Sequence, residues 1–293
     1  VRAPIQAPQA RPPRYGLLAA APTVDDADLR VLAGGWEYQP EACGLSGRDS
    51  ITCAGSTDGA MDPSGQRPGI IEGDPIWLWA GDECSTFGFQ ARDWQGRARR
   101  QLAATESYEL AAELWDGTVA TADALANPFL ASAGANSDTV TNGATAEVSA
   151  LACIEAALAE LLKGQQGMVH VTPQLLTHLR AADAIGREGT VWTTSMGHIV
   201  VADAGYSGAG PGGVAAGASQ WAYGTSMVQV RLGPVEVIPG NLDDARNLAA
   251  AMDRQVNDVV VVAGRLAGYQ WANDCAHVAA EVDLPVCLIG GAS

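Results

Sequence analysis

The stretch Trp94-Gln95-Gly96-Arg97-Ala98-Arg99-Arg100-Gln101-Leu102-Ala103-Ala104-Thr105-Glu106-Ser107-Tyr108-Glu109-Leu110-Ala111-Ala112-Glu113-Leu114-Trp115-Asp116-Gly117 decides how the rest of the chain is read. Leu102, Tyr108 or Glu109, Ala112 and Trp115 recur near a period of 3.6, with good helix formers between them. The spacing predicts a helix from Trp94 to Trp115, and Asp116-Gly117 ends it. Its charges run backwards. Arg92, Arg97, Arg99 and Arg100 come first, and Glu106, Glu109, Glu113 and Asp116 follow. A helix macrodipole prefers the opposite order, by roughly 0.3–1 kcal/mol per terminal charge. Such a polarised rod suits pairing with copies of itself; the plainer alternative is a solvated face.

Upstream, residues 1–24 hold Arg2, Arg11 and Arg14, no acid, and Pro4, Pro8, Pro12, Pro13 and Pro22. Proline keeps this stretch out of helix and sheet interiors, so it reads as an extended arm or a loose terminus. Residues 31–90 are acidic, with nine Asp and Glu against Arg48 and Arg67. Gly and Ser punctuate them from Gly44 to Gly69, and the apolar runs Gly69–Ile71 and Ile76–Ala80 predict strands. A turn-rich, strand-bearing excursion is the expectation.

Downstream, residues 117–145 are Ala, Ser, Thr, Asn, Gly and Asp for the most part, and read as loop. Val148, Leu151, Ile154, Leu158 and Leu161 form the apolar stripe of a second helix stopped by Gly164. Gly167–Val171 predicts a strand, and Thr172-Pro173 an N-cap and first helical residue for a helix towards Ala184. Strands are expected at Gly189–Thr194, Gly197–Ala202 and Met227–Ile238, with a small-residue loop at Gly205–Gly217. Asn241-Leu242-Asp243-Asp244 predicts a further helix to about Arg254, and strands follow around Asp258–Ala263 and Glu281–Ile289. The class is α+β, because no regular β-α-β alternation appears.

Composition excludes partners before it names any. The 293 residues carry 33 Asp+Glu against 17 Lys+Arg, a net charge of -16. Lys163 is the one lysine. Wrapping nucleic acid needs a basic face, and anionic membranes attract basic segments, so both are demoted. No run approaches the roughly 20 apolar residues of a membrane helix, and Val1–Gln6 has no apolar signal core. Cys43, Cys53, Cys84, Cys153, Cys275 and Cys287 are too dilute for a disulfide scaffold. They read as free thiols of a reducing compartment, although Cys43 and Cys53 bracket a Gly-rich loop and could bridge.

Motifs for chemistry fail one by one. No phosphate-binding loop occurs: Lys163 sits in Leu162-Lys163-Gly164, and Gly208–Gly213 contains proline with no helix behind it. Gly205-Tyr206-Ser207-Gly208-Ala209 departs from a nucleophile elbow in its last residue, so Ser207 reads as a loop serine. Cys275 and His277, two apart, do not face each other on a helix. His170, His178, His198 and His277 are scattered and read as structural hydrogen-bonders, and no metal spacing appears. No catalytic, cofactor-binding or metal residue is assigned, and no cofactor is implied.

The order of parts carries a resemblance. A Pro/Arg arm precedes a strand excursion and a long helix with a basic start and a Trp-tipped acidic end. An α+β region follows with Gly167–Pro173, Thr193-Thr194-Ser195-Met196-Gly197-His198-Ile199-Val200-Val201, Gly205–Gly208 and Trp221-Ala222-Tyr223-Gly224-Thr225. The chain resembles the major capsid protein of a tailed double-stranded DNA phage of the Hong Kong 97 type, as found in actinobacterial phages. High Ala, Gly and Arg content suits a host of high genomic G+C.

That resemblance implies an arm at 1–34, an E-loop-like extension at 35–90, and a P-domain with its spine helix at 91–164. It implies an A-domain at 165–240 and a return to both domains over 241–293. It implies a non-enzymatic subunit that self-assembles into hexamers and pentamers of an icosahedral shell. The shell would enclose DNA without sequence-specific binding and without a membrane. Scaffold and portal proteins would be partners during assembly in the host bacterial cytoplasm, with a cement or minor capsid protein as a further partner in the virion. Some family members weld subunits through lysine–asparagine bonds; residues 31–90 hold no lysine, so that chemistry is not expected. An encapsulin-like compartment, another virion subunit, and a hydrolase using Ser207 or the Cys275–His277 pair are the competing readings.

Overall fold

In the computed structural model the described residues are 11, 15–25, 32–41, 69–85, 93–132, 138–240, 252–253 and 258–285. Most of the arm, the excursion at 42–68 with Cys43 and Cys53, residues 241–251 of the expected helix, and Cys287 lie outside them. In chain order the elements are α1 (Leu17–Ala20), β1 (Thr23–Asp25), β2 (Trp36–Tyr38), β3 (Ile71–Gly73) and β4 (Ile76–Ser85). Then come α2 (Trp94–Asp116), α3 (Thr118–Asp123), β5 (Asp138–Thr139) and α4 (Glu147–Leu161). β6 (Met168–Val171), α5 (Pro173–Ala181), β7 (Ile185–Glu188), β8 (Val191–Thr194) and β9 (Ile199–Ala202) follow. A 3-10 turn at Pro211–Gly213 leads to β10 (Gln220–Thr225), β11 (Val228–Leu232) and β12 (Glu236–Ile238). The last elements are β13 (Met252–Asp253), β14 (Asp258–Trp271) and β15 (His277–Val282).

Two large sheets share the work among the described residues, and β2 and β3 pair antiparallel as a third, two-stranded one. β14 is the axis of the first: β4 runs antiparallel along one edge, from Asp258↔Ser85 to Ala267↔Ile76. β13, β12 and β11 line the other edge in succession, and β1 joins β11 in parallel. The period of two then sorts the side chains. Ile76, Leu78 and Asp82 of β4, with Val261, Ala263 and Ala267 of β14, are buried beneath α2. Trp77, Trp79 and Val260 point the other way and stay exposed.

The second sheet has the order β5-β15-β10-β6-β9-β8-β7. Helix α4 seats Ala150, Leu151, Ile154 and Leu158 on it, and Val148, expected in the stripe, is 44% exposed. The buried line starts at Ala150 because the sheet sits beneath that side of the helix; small alanines let it approach. Thr172 caps α5 as expected, accepting the Leu175 N–H at 3.2 Å, although the helix ends at Ala181.

Several expectations are corrected. The region read wholly as loop contains α3, because the Glu113 carboxylate, one helix earlier, accepts the N–H groups of Val119 and Ala120 at 2.8 and 2.7 Å. Tyr108 is 47% exposed, and Ser107, Leu110, Ala111 and Leu114 are buried in its place. β10 stands where no strand is expected, since Gly224 interrupts its pattern. A Cβ there would come within 2.7 Å of Ile154 and 2.9 Å of Val278, so glycine is what lets α4 and β15 close on the strand. The single strand expected over Met227–Ile238 is two, β11 and β12, separated by Gly233-Pro234-Val235. β14 continues to Trp271, well past Ala263, with Trp36 covering Gly268. Met252–Asp253 is strand where the helix was expected to run; the strand expected around Glu281–Ile289 begins earlier, as His277–Val282, and residues 286–289 lie outside the described residues.

The Gly205–Gly217 loop returns to α2 at Gly205. A Cβ on Gly205 would collide with the Tyr108 carbonyl oxygen and stand 2.7 Å from the Ala112 nitrogen, both helix backbone. Gly205→Ala is therefore expected to cost about 1–3 kcal/mol, as overpacking against atoms that cannot rotate away. A chemical-denaturation curve checks it, and an unchanged midpoint would show that the loop is not pinned there.

Candidate functional site

The elements converge where the end of α2, the second sheet and the segment around α1 meet. Asp203, just past β9, is fully buried. Its Oδ2 accepts the Leu17 N–H at 2.9 Å and the Ser107 hydroxyl at 2.7 Å, and its Oδ1 accepts the Gly205 N–H at 3.2 Å. One carboxylate thus ties α1, α2 and the loop after β9 together. Buried charges persist only when satisfied in this way.

Beside it lies an aromatic and histidine cluster. Trp115, fully buried, packs its ring 4.7 Å from Tyr206 and edge-on at 5.0 Å from Tyr223, centroid to centroid. The Trp115 Nε1–H and the Tyr223 hydroxyl both donate to the Ala209 carbonyl, at 3.1 and 3.0 Å. His170 makes two bonds: Nδ1 to the Tyr206 hydroxyl at 2.9 Å and Nε2 to Thr225 Oγ1 at 3.0 Å. Thr225 spends its single hydroxyl proton on the Ser226 carbonyl at 2.8 Å. It must therefore accept from Nε2–H, which leaves Nδ1 to accept from Tyr206. Burial, and then the nearby His277, push the His170 pKa down to about 3, so the ring is neutral. Burial and the Asp203 charge hold the Tyr206 phenol well above its ordinary value.

This arrangement holds its protons in place. The residues that sequence offered for hydrolysis are not assembled. Ser207 donates to Asp116 at 2.7 Å, and both His170 nitrogens are already engaged elsewhere. Burial raises the Asp116 carboxyl and the Ser207 bond lowers it by less. Cys275 is disulfide-bonded, which corrects the expectation of a free thiol at that position and removes the Cys275–His277 pair. Cys153 is free, so the partner of Cys275 is not among the described side chains. His277 reaches the Leu130 carbonyl at 3.0 Å, and Gly167 N–H donates to His198 Nδ1 at 2.9 Å. His178 faces Glu147 at 3.5 Å. Among the described residues no group of three or more His, Cys, Asp or Glu could hold a metal ion. No described helix is long and apolar enough to cross a membrane.

The backward charge order of α2 has a local explanation that the linear sequence hides. Arg97 forks onto the buried Asp82 of β4 at 2.9 Å through both Nε and Nη2, and Arg100 meets Asp93 at 3.0 Å. Glu106 faces Arg265 of β14 at 3.2 Å, both largely buried; desolvation raises the Glu106 pKa more than Arg265 lowers it. With Glu113 capping α3 and Asp116 held by Ser207, five of these charged groups, Arg97, Arg100, Glu106, Glu113 and Asp116, are spent inside the subunit. That revises the picture of a rod whose charges wait for copies of itself.

No described sequence family matches the chain, and no curated protein resembles it in sequence. Solved structures do. The holo-SrpI encapsulin complex from Synechococcus elongatus PCC 7942 superposes with a TM-score of 0.56 at 10% identity, covering 100% of this chain and 96% of that one. The capsid of Ralstonia phage GP4 gives 0.51 at 12% identity over 96% and 94%. Gordonia phage Cozz gives 0.50 at 14% identity over 96% and 89%. Identities so low carry the architecture alone, and they carry it across nearly the whole length. The chain has the α+β Hong Kong 97-type capsid fold.

Proposed function

We propose that this chain is a shell subunit, assembling with copies of itself into hexamers and pentamers of an icosahedral particle, as the major capsid protein of a tailed double-stranded DNA phage. The observation that carries the reading is the likeness over nearly the full chain to a phage capsid and to an encapsulin complex. The interior supports it: the polar groups at the junction of the elements are committed to holding those elements together. The net charge of -16 favours a lining that does not adhere to packaged DNA. In this reading the arm is 1–34, the E-loop 35–90, the P-domain 91–164 with α2 as its spine, and the A-domain 165–240. The remaining residues return to both, and α4, which packs on the second sheet, lies against the A-domain side.

A second reading is an encapsulin-like compartment, favoured by the TM-score of 0.56 over the entire chain. Particles purified from cells carrying the gene in its natural setting separate the two. Nuclease-protected double-stranded DNA inside them is the expected result. Shells without nucleic acid that hold a protein cargo would replace the capsid reading with the compartment.

A further inference from the structure

The bond at Cys275 has a partner that the fold singles out. Cys275 is half-buried in the turn between β14 and β15. Ser226 holds that turn: its hydroxyl donates to the Asn273 carbonyl at 2.6 Å and accepts the Asn273 N–H at 3.2 Å. The Cys275 N–H donates to Asn273 Oδ1 at 3.2 Å, and the Ala272 N–H to the Met227 carbonyl at 2.8 Å. The backbone that carries Cys275 is therefore fixed, and its partner must come to it. Cys153 is free. Cys84 stands opposite Val259, and the strand from Val259 to Trp271 spans about 40 Å, far beyond a disulfide's reach. Cys287 follows the other end of β15, which runs from His277 opposite Thr225 to Val282 opposite Gln220, about 17 Å away. Gln220 Nε2 donates to the Leu284 carbonyl at 3.2 Å and Gln174 Nε2 to the Pro285 carbonyl at 2.9 Å, which ties the chain down at that far end.

The segment after β2 does come to this turn. The Tyr38 hydroxyl accepts the Trp271 N–H at 3.1 Å, and the Glu41 N–H donates to the Ala272 carbonyl at 3.0 Å. Cys43 stands two residues past Glu41 in sequence, a reach of about 7 Å, and a disulfide joins Cα atoms about 4.4–6.8 Å apart. Cys53 lies ten residues further along, and a longer tether dilutes the thiol at its end. We infer that Cys275 is joined to Cys43 of the same chain, a bond that clamps the outgoing leg of the 42–68 excursion to the β14–β15 turn. The returning leg is clamped without one. Asn127, buried, accepts the Asp74 N–H at 2.7 Å and donates to the Asp74 carbonyl at 2.8 Å, while Asp74 Oδ2 accepts the Ala126 N–H at 2.8 Å. With Trp36–Tyr38 paired to Ile71–Gly73, the bond closes a stem from which the excursion departs. Under the proposed shell reading that stem aims the E-loop, but the bond itself does not depend on that reading. Each thiol gives up one proton and one electron; a small-molecule disulfide accepts them by exchange and leaves as two thiols.

The test uses the full chain, equilibrated with oxidised glutathione, blocked with N-ethylmaleimide and digested without reductant by trypsin and an Asp-directed protease. This places Cys43 in peptide 31–48, Cys53 in 49–57, Cys84 in 82–92, Cys275 in 274–282 and Cys287 in 283–293. Mass spectrometry is expected to find 274–282 joined to 31–48, separating on reduction, from protein that runs as a monomer on a non-reducing denaturing gel. Peptide 274–282 joined to any other cysteine peptide, or carrying glutathione or maleimide, overturns the inference, as does a link between two chains. Stability gives a second arm: C43S and C275S should each lower the melting temperature by about 5–15 °C, and C43S/C275S by no more than either. Additive losses would mean that the two thiols act separately and would overturn the pairing. The mapped bond in a chain that never forms particles would leave the inference standing and overturn the shell reading alone.

Discussion

Trp115→Ala is expected to lower the unfolding free energy by about 3–5 kcal/mol, the largest effect of any single side chain in the core. The ring is fully buried, touches Tyr206 and Tyr223, and lies at the end of α2 where both sheets' elements meet. The loss is one of packing. The Ala209 carbonyl keeps the Tyr223 hydroxyl as donor when the indole N–H is gone, so no buried acceptor is orphaned. Truncation leaves a cavity that the paired aromatic rings cannot fill without leaving their own partners. For a chain of this size a loss of this order moves the melting temperature down by roughly 6–20 °C. Calorimetry on the unassembled protein measures it, and a shift under 2 °C would show that Trp115 is not central to the core.

Acid should loosen the same region through His170. Its folded pKa is about 3 against an ordinary 6.5, because burial disfavours the imidazolium. The sign follows from linkage. Above 6.5 both folded and unfolded forms are neutral and no stability is lost. As pH falls from 6.5 towards 3 the unfolded chain takes up a proton that the folded chain refuses, at about 1.4 kcal/mol per pH unit. At pH 4.5 the loss from this group is roughly 2.7 kcal/mol. His277 lies close enough to disfavour the charge further, and the Tyr206 hydroxyl donates to an Nδ1 lone pair that the imidazolium lacks. Carboxylates also titrate there, so the measurement is comparative. His170→Gln, which keeps a donor and an acceptor, should be less stable at pH 7.5 yet lose less between pH 7 and 4.5. Parallel pH profiles for the two proteins would show that His170 is not the acid-sensitive group.

The sequence made legible those elements whose ends are chemically marked. Helix α2 stops at Gly117, which takes φ +58 beneath the Phe129 ring, and α5 opens at Thr172-Pro173. What escaped was set by contacts distant in sequence. β10 is a strand because α4 and β15 close over Gly224, and α3 exists because Glu113 caps it. The polar junction was likewise invisible: Leu17, Ser107 and Asp203 are brought together by the fold, and none stands in a recognisable motif. The histidines were read as structural hydrogen-bonders, and His170 and His277 form such bonds; that they lie close enough for one to shift the other's pKa could not be read from residues 107 positions apart. The disulfide at Cys275 had no signal in the cysteine spacing.

The central claim is self-assembly, and electron microscopy of the purified full-length chain tests it most directly. Closed icosahedral particles tens of nanometres across, built of hexamers and pentamers, are the expected result. A protein that stays monomeric across salt and concentration, or that forms only open rings, would contradict it.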